Sequence, residues 1–520
     1  MKIEKKNRRF SLPVKQANPN EYIQISGEEK RLGSLSPLLT VAILSIGPFI
    51  SQTVQALYGM VNLYWVSKGI GDKGIEVFGA IYLIDFIPLA FADYLMSSIN
   101  IQLSYLFGET RVDECAQVFV DFIRISFFLS LLMPPIILPI TKPVVRWFGA
   151  GDEISKMCFQ YIIPTASCSF FAFLFMTICG LLQSEGHSII FGVAQSSTLI
   201  INMFVFCPIF LLVFKFGIWG ASLATGISQF IVSMILVIMI FNGKFTVKPK
   251  LNMLFKKFSS ETWKALKIGI ASLLSYFAAS LPEILLQKFL YMSAIHVGKY
   301  DETVQAWGVI VKLFQLVCGT DDAIAIGFLP AASYAYGARR YNRILHLLFH
   351  SSWIGILIAS IYSALLVFFP RQIASIWSKD PSFLDNCQSM IPIVFLLSPL
   401  YPIQYTVPAL LQGMQRVLLS TILAFLTEML PLPVFSSILY FTDKNNPARM
   451  MWSYALANIF SFLACCITLI PFIFQLCKEP KDELVRNNQA DFYSVRSIKS
   501  DNCYSTPLLQ NEADYTKEKE

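Results

Sequence analysis

The sequence predicts an all-α polytopic membrane protein with twelve transmembrane helices, arranged as two six-helix lobes related by an internal parallel repeat. Three observations predict this fold: the composition, the apolar stretches and an internal duplication. Hydrophobic residues make up 55% of the chain and charged residues only 14%, whereas an ordinary soluble domain is about 25% charged. This composition is typical of a protein whose surface faces lipid.

The apolar stretches are long enough to cross a hydrocarbon core of about 30 Å, which takes roughly 20 helical residues. Their approximate limits are 35–66, 77–107, 118–141, 157–183, 188–215, 217–242, 265–296, 303–336, 346–370, 386–412, 415–441 and 449–477. Several exceed the length that one crossing requires, so we expect tilted helices or short interfacial extensions.

Residues 78–108 and 307–337 carry two copies of one pattern, FGAIYLIDFIPLAFADYLMSSINIQLSYLFG and WGVIVKLFQLVCGTDDAIAIGFLPAASYAYG. At a constant offset of 229 residues the matched pairs are Asp93 with Asp322, Tyr105 with Tyr334, Gly108 with Gly337 and Cys158 with Cys387. Because six spans per half is an even number, the two halves have the same orientation and are related by an axis along the membrane normal. Duplicated bundles with a polar group near mid-membrane are typical of transporters.

Basic residues predict the orientation, because cytoplasmic loops retain Lys and Arg. They cluster before the first span, in the central connection and in the 337–345 loop, which all fall on one side of a twelve-span chain. The predicted divisions are a polar cytoplasmic N-terminal tail at 1–34, an N-lobe at 35–242, a basic cytoplasmic linker at 243–264, a C-lobe at 265–477 and a disordered cytoplasmic C-terminal tail at 478–520. We expect a multi-pass protein of the plasma membrane, with an internal membrane as the alternative.

Several functional classes find no support in the sequence. The net charge of +7 comes from basic residues concentrated in loops and tails, where topology accounts for them, so we expect no nucleic-acid partner. His346 and His350 share a helix face but lack a third ligand, so no metal site is predicted. The chain contains no GxxxxGK[ST] phosphate-binding loop. We therefore expect no enzyme activity, no catalytic residues and no cofactor, and transport would run on a gradient of H⁺ or Na⁺ or on substrate alone.

Carboxylates inside the spans are the predicted site residues. Asp93, Glu283, Asp322 and Glu428 lie near the middle of their spans, and Asp85 lies about 12 Å further toward the outside on the same helix as Asp93. An ionised acid at this depth costs roughly 2.5–3.5 kcal/mol on insertion scales. Each acid should therefore face a cavity, a partner or a proton.

Two interpretations of these acids are open. Burial raises the pKa of a carboxyl, so such a group can load and release protons near neutral pH. In that case Gln287, one helical turn after Glu283 and on the same face, would share a cation or proton with it. Alternatively, the acids are structural and are neutralised by lysines or by backbone donors, since Lys288 lies five residues after Glu283 and Lys312 lies ten before Asp322.

Several motifs resemble those of the multidrug and toxic compound extrusion (MATE) family. They are the run GLLQSEGHS at 180–188, then Asn202 and Pro208 in the next span, then GIWGASLATGISQ at 217–229. The second half resembles the family more loosely, through LLQGMQR at 410–416 and MWSYALAN at 451–458. The likeness implies a twelve-helix, two-lobed antiporter that exports organic cations in exchange for protons or sodium.

The chain departs from the family pattern in the N-lobe. The acid that the resemblance implies in the first helix is Asn62 here, and the acid before proline in the fifth helix is Cys207. Asn202 is the residue of that implied cation site that remains. We therefore expect the C-lobe to handle the coupling ion, with Glu283 as the main group, assisted by two other acids. These assistants are Asp322 and Glu428.

The leading hypothesis is a secondary antiporter that exports organic cations and xenobiotics by alternating access between its two lobes. One alternative is a lipid-linked saccharide flippase of the wider superfamily, which would need basic residues for a phosphate-bearing headgroup. An uncoupled transporter and a non-transporting receptor are further alternatives, although a receptor offers no reason for an acid repeated at positions 93 and 322. The expected partners are small organic cations and membrane lipid, and we expect a monomer.

Overall fold

The computed structural model describes residues 27–147 and 151–477. The predicted C-terminal tail at 478–520 and most of the predicted N-terminal tail lie outside the described residues. Within the described ranges the regular structure is helical throughout and includes no strand. Short loops of a few residues connect most of the helices, so neighbouring helices run antiparallel.

Within residues 27–147 and 151–477, twelve membrane-length helical segments follow one another. The N-lobe contains α1 (Pro37–Ile70), α2 (Asp72–Gly108), α3 (Val112–Trp147), α4 (Asp152–Ser167 continued by Ser169–Ser184), α5 (Ser188–Val213) and α6 (Ile218–Phe241). The C-lobe contains α7 (Ser260–Val297), α8 (Tyr300–Gly337), α9 (Tyr341–Phe368), α10 (Pro381–Gly413), α11 (Val417–Thr442) and α12 (Pro447–Leu476).

Ten of these segments are individually long and apolar enough to cross a membrane, and α4 is an eleventh if its two pieces, bent by 51°, form one span. The twelfth, α8, has 38 residues and carries charged side chains in its middle, including Lys312, Asp321 and Asp322. These charges lower its hydropathy, although its length and packing match those of the other spans. The predicted all-α, two-lobed, twelve-helix fold is confirmed.

Repeat-related helices α5 and α11 are both locally widened into π-helical turns. In α5 the turn Asn202–Phe206 precedes Pro208, and in α11 the turn Phe425–Met429 precedes Pro431. Because proline cannot donate a backbone hydrogen bond, the turn before it loses a regular bond and can widen. Such turns are frequent at functional sites, and these two carry the predicted site residues Asn202 and Glu428.

The predicted N-terminal tail extends to residue 34, but its last part is structured. Glu29–Ser34 forms a helical turn with a fully buried Leu32. Arg31 Nε donates a 2.6 Å hydrogen bond to the Glu185 carbonyl of the N-lobe, and Arg343 of α9 donates one of 2.9 Å to the Leu32 carbonyl. This turn, which precedes α1, therefore forms hydrogen bonds with both lobes.

Two buried acids of the N-lobe, Glu185 and Asp121, accept hydrogen bonds from the linker between the lobes. The Glu185 carboxylate accepts hydrogen bonds from the backbone N–H groups of Thr246 and Val247, at 3.0 and 2.8 Å. Burial raises the pKa of the Glu185 carboxyl above its ordinary value, although these donors oppose the shift. Asp121 accepts a 2.8 Å bond from the backbone of Ser259. The predicted linker therefore follows the N-lobe surface before α7 begins.

The repeated glycines at the ends of α2 and α8 meet at the interface between the lobes. A Cβ atom at Gly108 would overlap the carbonyl oxygen of Tyr334, and one at Gly337 would overlap the carbonyl oxygen of Tyr105. Each glycine thus contacts the helix that carries its repeat partner. This reciprocal contact agrees with the parallel arrangement predicted from the duplication.

Replacing Gly108 or Gly337 by alanine is expected to destabilise the protein by about 1–3 kcal/mol, because an added methyl group cannot fit between the two backbones. Gly308, on α8 as well, is a matched control, since a Cβ there would have no atom within 4 Å. Gly308→Ala should be neutral or slightly stabilising, because alanine favours the helix. Thermal unfolding of the purified variants checks this prediction, and equal midpoints for all three would contradict the tight contact.

Candidate functional site

A cavity of about 270 Å³ lies between the lobes, lined by α2 from the N-lobe and by α7, α8, α10 and α11 from the C-lobe. Three of the predicted acids line it: Asp93, Asp322 and Glu428. Two tyrosines, Tyr276 and Tyr405, add aromatic surface, and serine and amide side chains supply further polar groups. The lining among the described residues contains no Lys, Arg or His, so the cavity is acidic.

The repeat-related acids Asp93 and Asp322 approach this cavity from different lobes, on α2 and α8. Gln52 of α1 donates a 2.9 Å hydrogen bond from Nε2 to Oδ2 of Asp322. Gln52 was not among the residues predicted from the sequence, although an isolated amide inside an apolar span is a recognisable signal. Glu428 retains a buried oxygen, Oε2, that accepts no hydrogen bond from the described residues.

Glu283 of α7 is separate from this group, because it does not line the cavity. The hydroxyl of Tyr454 on α12 donates to its Oε1 at 3.5 Å. The Gln287 amide donates a 3.0 Å hydrogen bond to the hydroxyl of Tyr291, one turn further on, and its sharing of a cation or proton with Glu283 stays a prediction. The side chain of Lys288 is exposed.

The predicted N-lobe residues form a second polar cluster. Nδ2 of Asn202 donates to Thr225 Oγ1 at 2.8 Å and to the Tyr58 hydroxyl at 3.2 Å. Sγ of Cys207 donates to Oδ1 of Asn62 at 3.5 Å. This cluster joins α1, α5 and α6, and none of its members lines the central cavity.

Asp85 lies beside the same cluster and supplies a carboxylate. The hydroxyl of Tyr161 on α4 donates to its Oδ2 at 3.4 Å. Tyr58 lies within electrostatic range of both Asp85 and Cys207. The N-lobe therefore has an acid near its polar cluster even though Asn62 and Cys207 replace the acids that the family resemblance implies.

The alternative of lysine-neutralised acids is not supported. In the part of the chain that the structure describes, none of the five predicted acids forms an ion pair with Lys or Arg. The ion pairs that do form lie near helix ends and in loops. Asp85, Glu283 and Asp322 accept hydrogen bonds from hydroxyl or amide groups instead, which leaves their charge to be balanced by a proton or a bound cation.

Comparison with known proteins decides the family. The MatE family model matches residues 49–209 and 268–435. The chain belongs to the MatE family. The resemblance predicted from the sequence motifs is confirmed, and the two matched segments correspond to the two repeats of this MatE protein.

Two relatives of this MatE chain are similar over most of their own length. The probable multidrug resistance protein YoeA of Bacillus subtilis is 19% identical over 397 residues, which cover 74% of this chain and 83% of YoeA. The probable multidrug resistance protein NorM of Oceanobacillus iheyensis is 22% identical over 340 residues, which cover 62% of this chain and 71% of NorM. Both relatives are described as probable multidrug resistance proteins.

Solved structures share the fold. An outward-facing multidrug resistance MATE transporter of the MOP superfamily matches with a TM-score of 0.80 at 20% identity, covering 88% of this chain and all of that chain. A MOP superfamily transporter from Pyrococcus furiosus, described as having a binding pocket of reverse polarity, also matches with a TM-score of 0.80 at 20% identity, covering 87% and 99%. The protein is thus an integral multi-pass membrane transporter by family and fold.

Proposed function

We propose that this protein is a secondary antiporter that exports organic cations and xenobiotics in exchange for protons or sodium by alternating access. The single observation that carries the proposal is the acidic cavity between the lobes, with Asp93, Asp322 and Glu428 and no basic side chain in its described lining. A cationic substrate and a proton would compete there for the same negative charge. Tyr276 and Tyr405 offer faces on which a flat cation can stack.

Alternating access is supported by the contact between the lobes. Gly108 and Gly337 lie fifteen residues beyond Asp93 and Asp322 on the same helices, a distance of roughly 22 Å along the axis. The glycine contact closes the side of the molecule that the basic loops predict to be cytoplasmic. In the opposite state this contact, and the N-terminal turn that connects the lobes, would have to open.

The proposal also covers orientation, oligomeric state and location. The basic loops favour an orientation in which both termini lie in the cytoplasm. The protein is proposed to work as a monomer in the plasma membrane, with an internal membrane as the alternative. A lipid-linked saccharide flippase is the second candidate, but a phosphate-bearing headgroup needs basic partners. The cavity lining supplies acids instead.

Uptake of a fluorescent organic cation into inverted vesicles tests the proposal. Vesicles that contain the protein should accumulate the cation when an inward-acidic pH gradient or an inward-high sodium gradient is imposed. Vesicles with either gradient collapsed, and vesicles from cells without the protein, are the controls. The same accumulation of the cation whether or not a proton or sodium gradient is imposed would contradict coupled export.

Asn62 and Cys207 are expected not to carry the coupling proton, because neither ionises as a carboxylate does near neutral pH. Asn62→Ala and Cys207→Ala should each leave pH-driven exchange within about twofold of the unmodified rate, since each removes one 3.5 Å contact. Exchange rates in the vesicles, normalised to the amount of folded protein, check this. Loss of coupling in either variant with normal folding would move the coupling site to the N-lobe.

A further inference from the structure

Asp321 is a buried acid for which the helix packing alone gives no role. It lies in the middle of α8, next to the cavity residue Asp322, and its exposed fraction is 1%. Neither of its carboxylate oxygens accepts a hydrogen bond from any described residue. An isolated buried carboxylate costs several kcal/mol when ionised. Asp321 therefore requires something that neutralises it.

The groups around Asp321 are acids, phenols and a thiol. Asp322 and Cys318 interact with it electrostatically from its own helix, and Tyr401 does so from α10. The titratable groups that face this region from the packed helices are Cys318, Asp322, Tyr401, Tyr405, Glu283, Glu428 and Tyr454. None of these groups is basic, and none donates a hydrogen bond to either carboxylate oxygen of Asp321.

Glu283, the other buried acid nearby, is not joined to Asp321 by hydrogen bonds in the described part of the chain. Tyr401 of α10 lies within electrostatic range of both acids, but neither oxygen of Asp321 accepts a hydrogen bond from it. The apolar ring of Phe314 packs against Tyr401 and against Tyr454, with centroid distances of 5.8 and 5.1 Å, and the Tyr454 hydroxyl donates to Glu283 at 3.5 Å. The route for a proton of Asp321 is therefore sought on the side of the cavity.

On its other side Asp321 adjoins the central cavity through Asp322. Consecutive residues of a helix point about 100° apart, so one side chain can line the cavity while its neighbour lies in the protein interior. A cation bound at Asp322 would lie close enough to favour the ionised form of Asp321. The geometry therefore connects substrate binding in the cavity with the protonation of an acid that substrate does not touch.

We propose that Asp321 is the buried proton-holding site of the C-lobe, which loses its proton when a cation occupies the cavity. The O–H bond of the Asp321 carboxyl breaks, and the proton forms a new O–H bond with a water molecule of the hydrated cavity, which carries it to the solution on that side of the membrane. The departing proton balances the arriving positive charge. This inference rests on the proposed antiport function and assigns the proton as the coupling ion.

A proton fits this site better than a metal ion. Hard cations take several oxygen ligands at once, whereas the neighbours of Asp321 offer a thiol and phenol groups. The described ranges contain no cluster of three or more His, Cys, Asp or Glu side chains suited to a metal. A proton needs a single oxygen and removes the charge outright.

Difference infrared spectroscopy between acidic and alkaline pH tests the site in purified, reconstituted protein. The unmodified protein should show a titrating protonated-carboxyl C=O band, and Asp321→Asn should lack one component of it. Asp321→Glu should retain a shifted component, which separates loss of the proton site from misfolding. Asp385→Asn is the matched control, since Asp385 is exposed and paired with Arg371 at 2.7 Å. A spectrum of Asp321→Asn identical to that of the unmodified protein would overturn the proposal.

Proton release provides the second readout. Adding a fluorescent organic cation to weakly buffered protein should release protons, and Asp321→Asn should bind the cation but release about one proton fewer per cation bound. Release that is unchanged in Asp321→Asn would overturn the inference while the antiport function stands. An Asp321-dependent infrared band in a protein that moves no cation would instead overturn the antiport function while the proton site stands.

Discussion

Replacing Glu283 by glutamine is expected to reduce gradient-driven export of an organic cation tenfold or more, while expression and folding stay normal. Glutamine keeps the shape of the side chain but can neither ionise nor carry an exchangeable carboxyl proton. Pro282, inside α7, interrupts the backbone bonding just before this residue, which lets water reach the site when the lobe opens. Without the carboxylate, protonation can no longer compete with substrate for charge. Rates of fluorescent-cation uptake in energised vesicles measure the effect.

Lys288→Gln is the matched control for this prediction. Lys288 lies five residues further along the same helix, is exposed and forms no ion pair with Glu283 among the described residues. Its replacement should leave export within about twofold, the range expected for a surface substitution. Normal export by Glu283→Gln would show that Glu283 is a tolerated buried acid, whereas equal losses in both variants would indicate a paired structural role.

Asp322→Asn is expected to weaken binding of a monovalent organic cation by about tenfold to a hundredfold. A hydrogen bond or contact to a charged group contributes about 1.5–3 kcal/mol, and each 1.4 kcal/mol is tenfold in affinity. Equilibrium titration of purified protein with a fluorescent cation measures the change. Gln52→Ala is the control, because it removes the 2.9 Å donor to Asp322 but keeps the charge, so its effect should be smaller. An unchanged affinity in Asp322→Asn would place the bound cation outside this cavity.

The architecture could be predicted from the sequence because a helix that crosses the bilayer must be long and apolar. Every span needs about 20 apolar residues, so hydropathy predicts the number and approximate position of the segments, although the charged α8 and the bent α4 are recognised less clearly. The duplication then related α2 to α8 and predicted an acid on each. The structure places Asp93 and Asp322 on one cavity, which two repeat-related helices beside an axis tend to produce.

The partners of individual side chains were less predictable. Asp321 and Asp322 are neighbours in the sequence, and only the packing around α8 decides that one lines the cavity and the other is buried. Helical spacing places Gln287 on the same face as Glu283, but it does not predict that the Gln287 amide donates to Tyr291 on the following turn. The turn Glu29–Ser34 is polar in sequence, and its backbone carbonyls bond to arginines more than 300 residues away. Such long-range contacts leave no periodic signal.

Simultaneous measurement of both fluxes tests the central claim most directly. Purified protein is reconstituted into liposomes that contain a pH-sensitive dye, and a labelled organic cation is added while the internal pH and the cation uptake are followed together. Antiport predicts that cation entry and proton exit rise together, that an imposed inside-acidic gradient drives accumulation, and that Glu283→Gln abolishes both. Cation uptake that proceeds at the same rate without any proton or sodium movement would contradict the account.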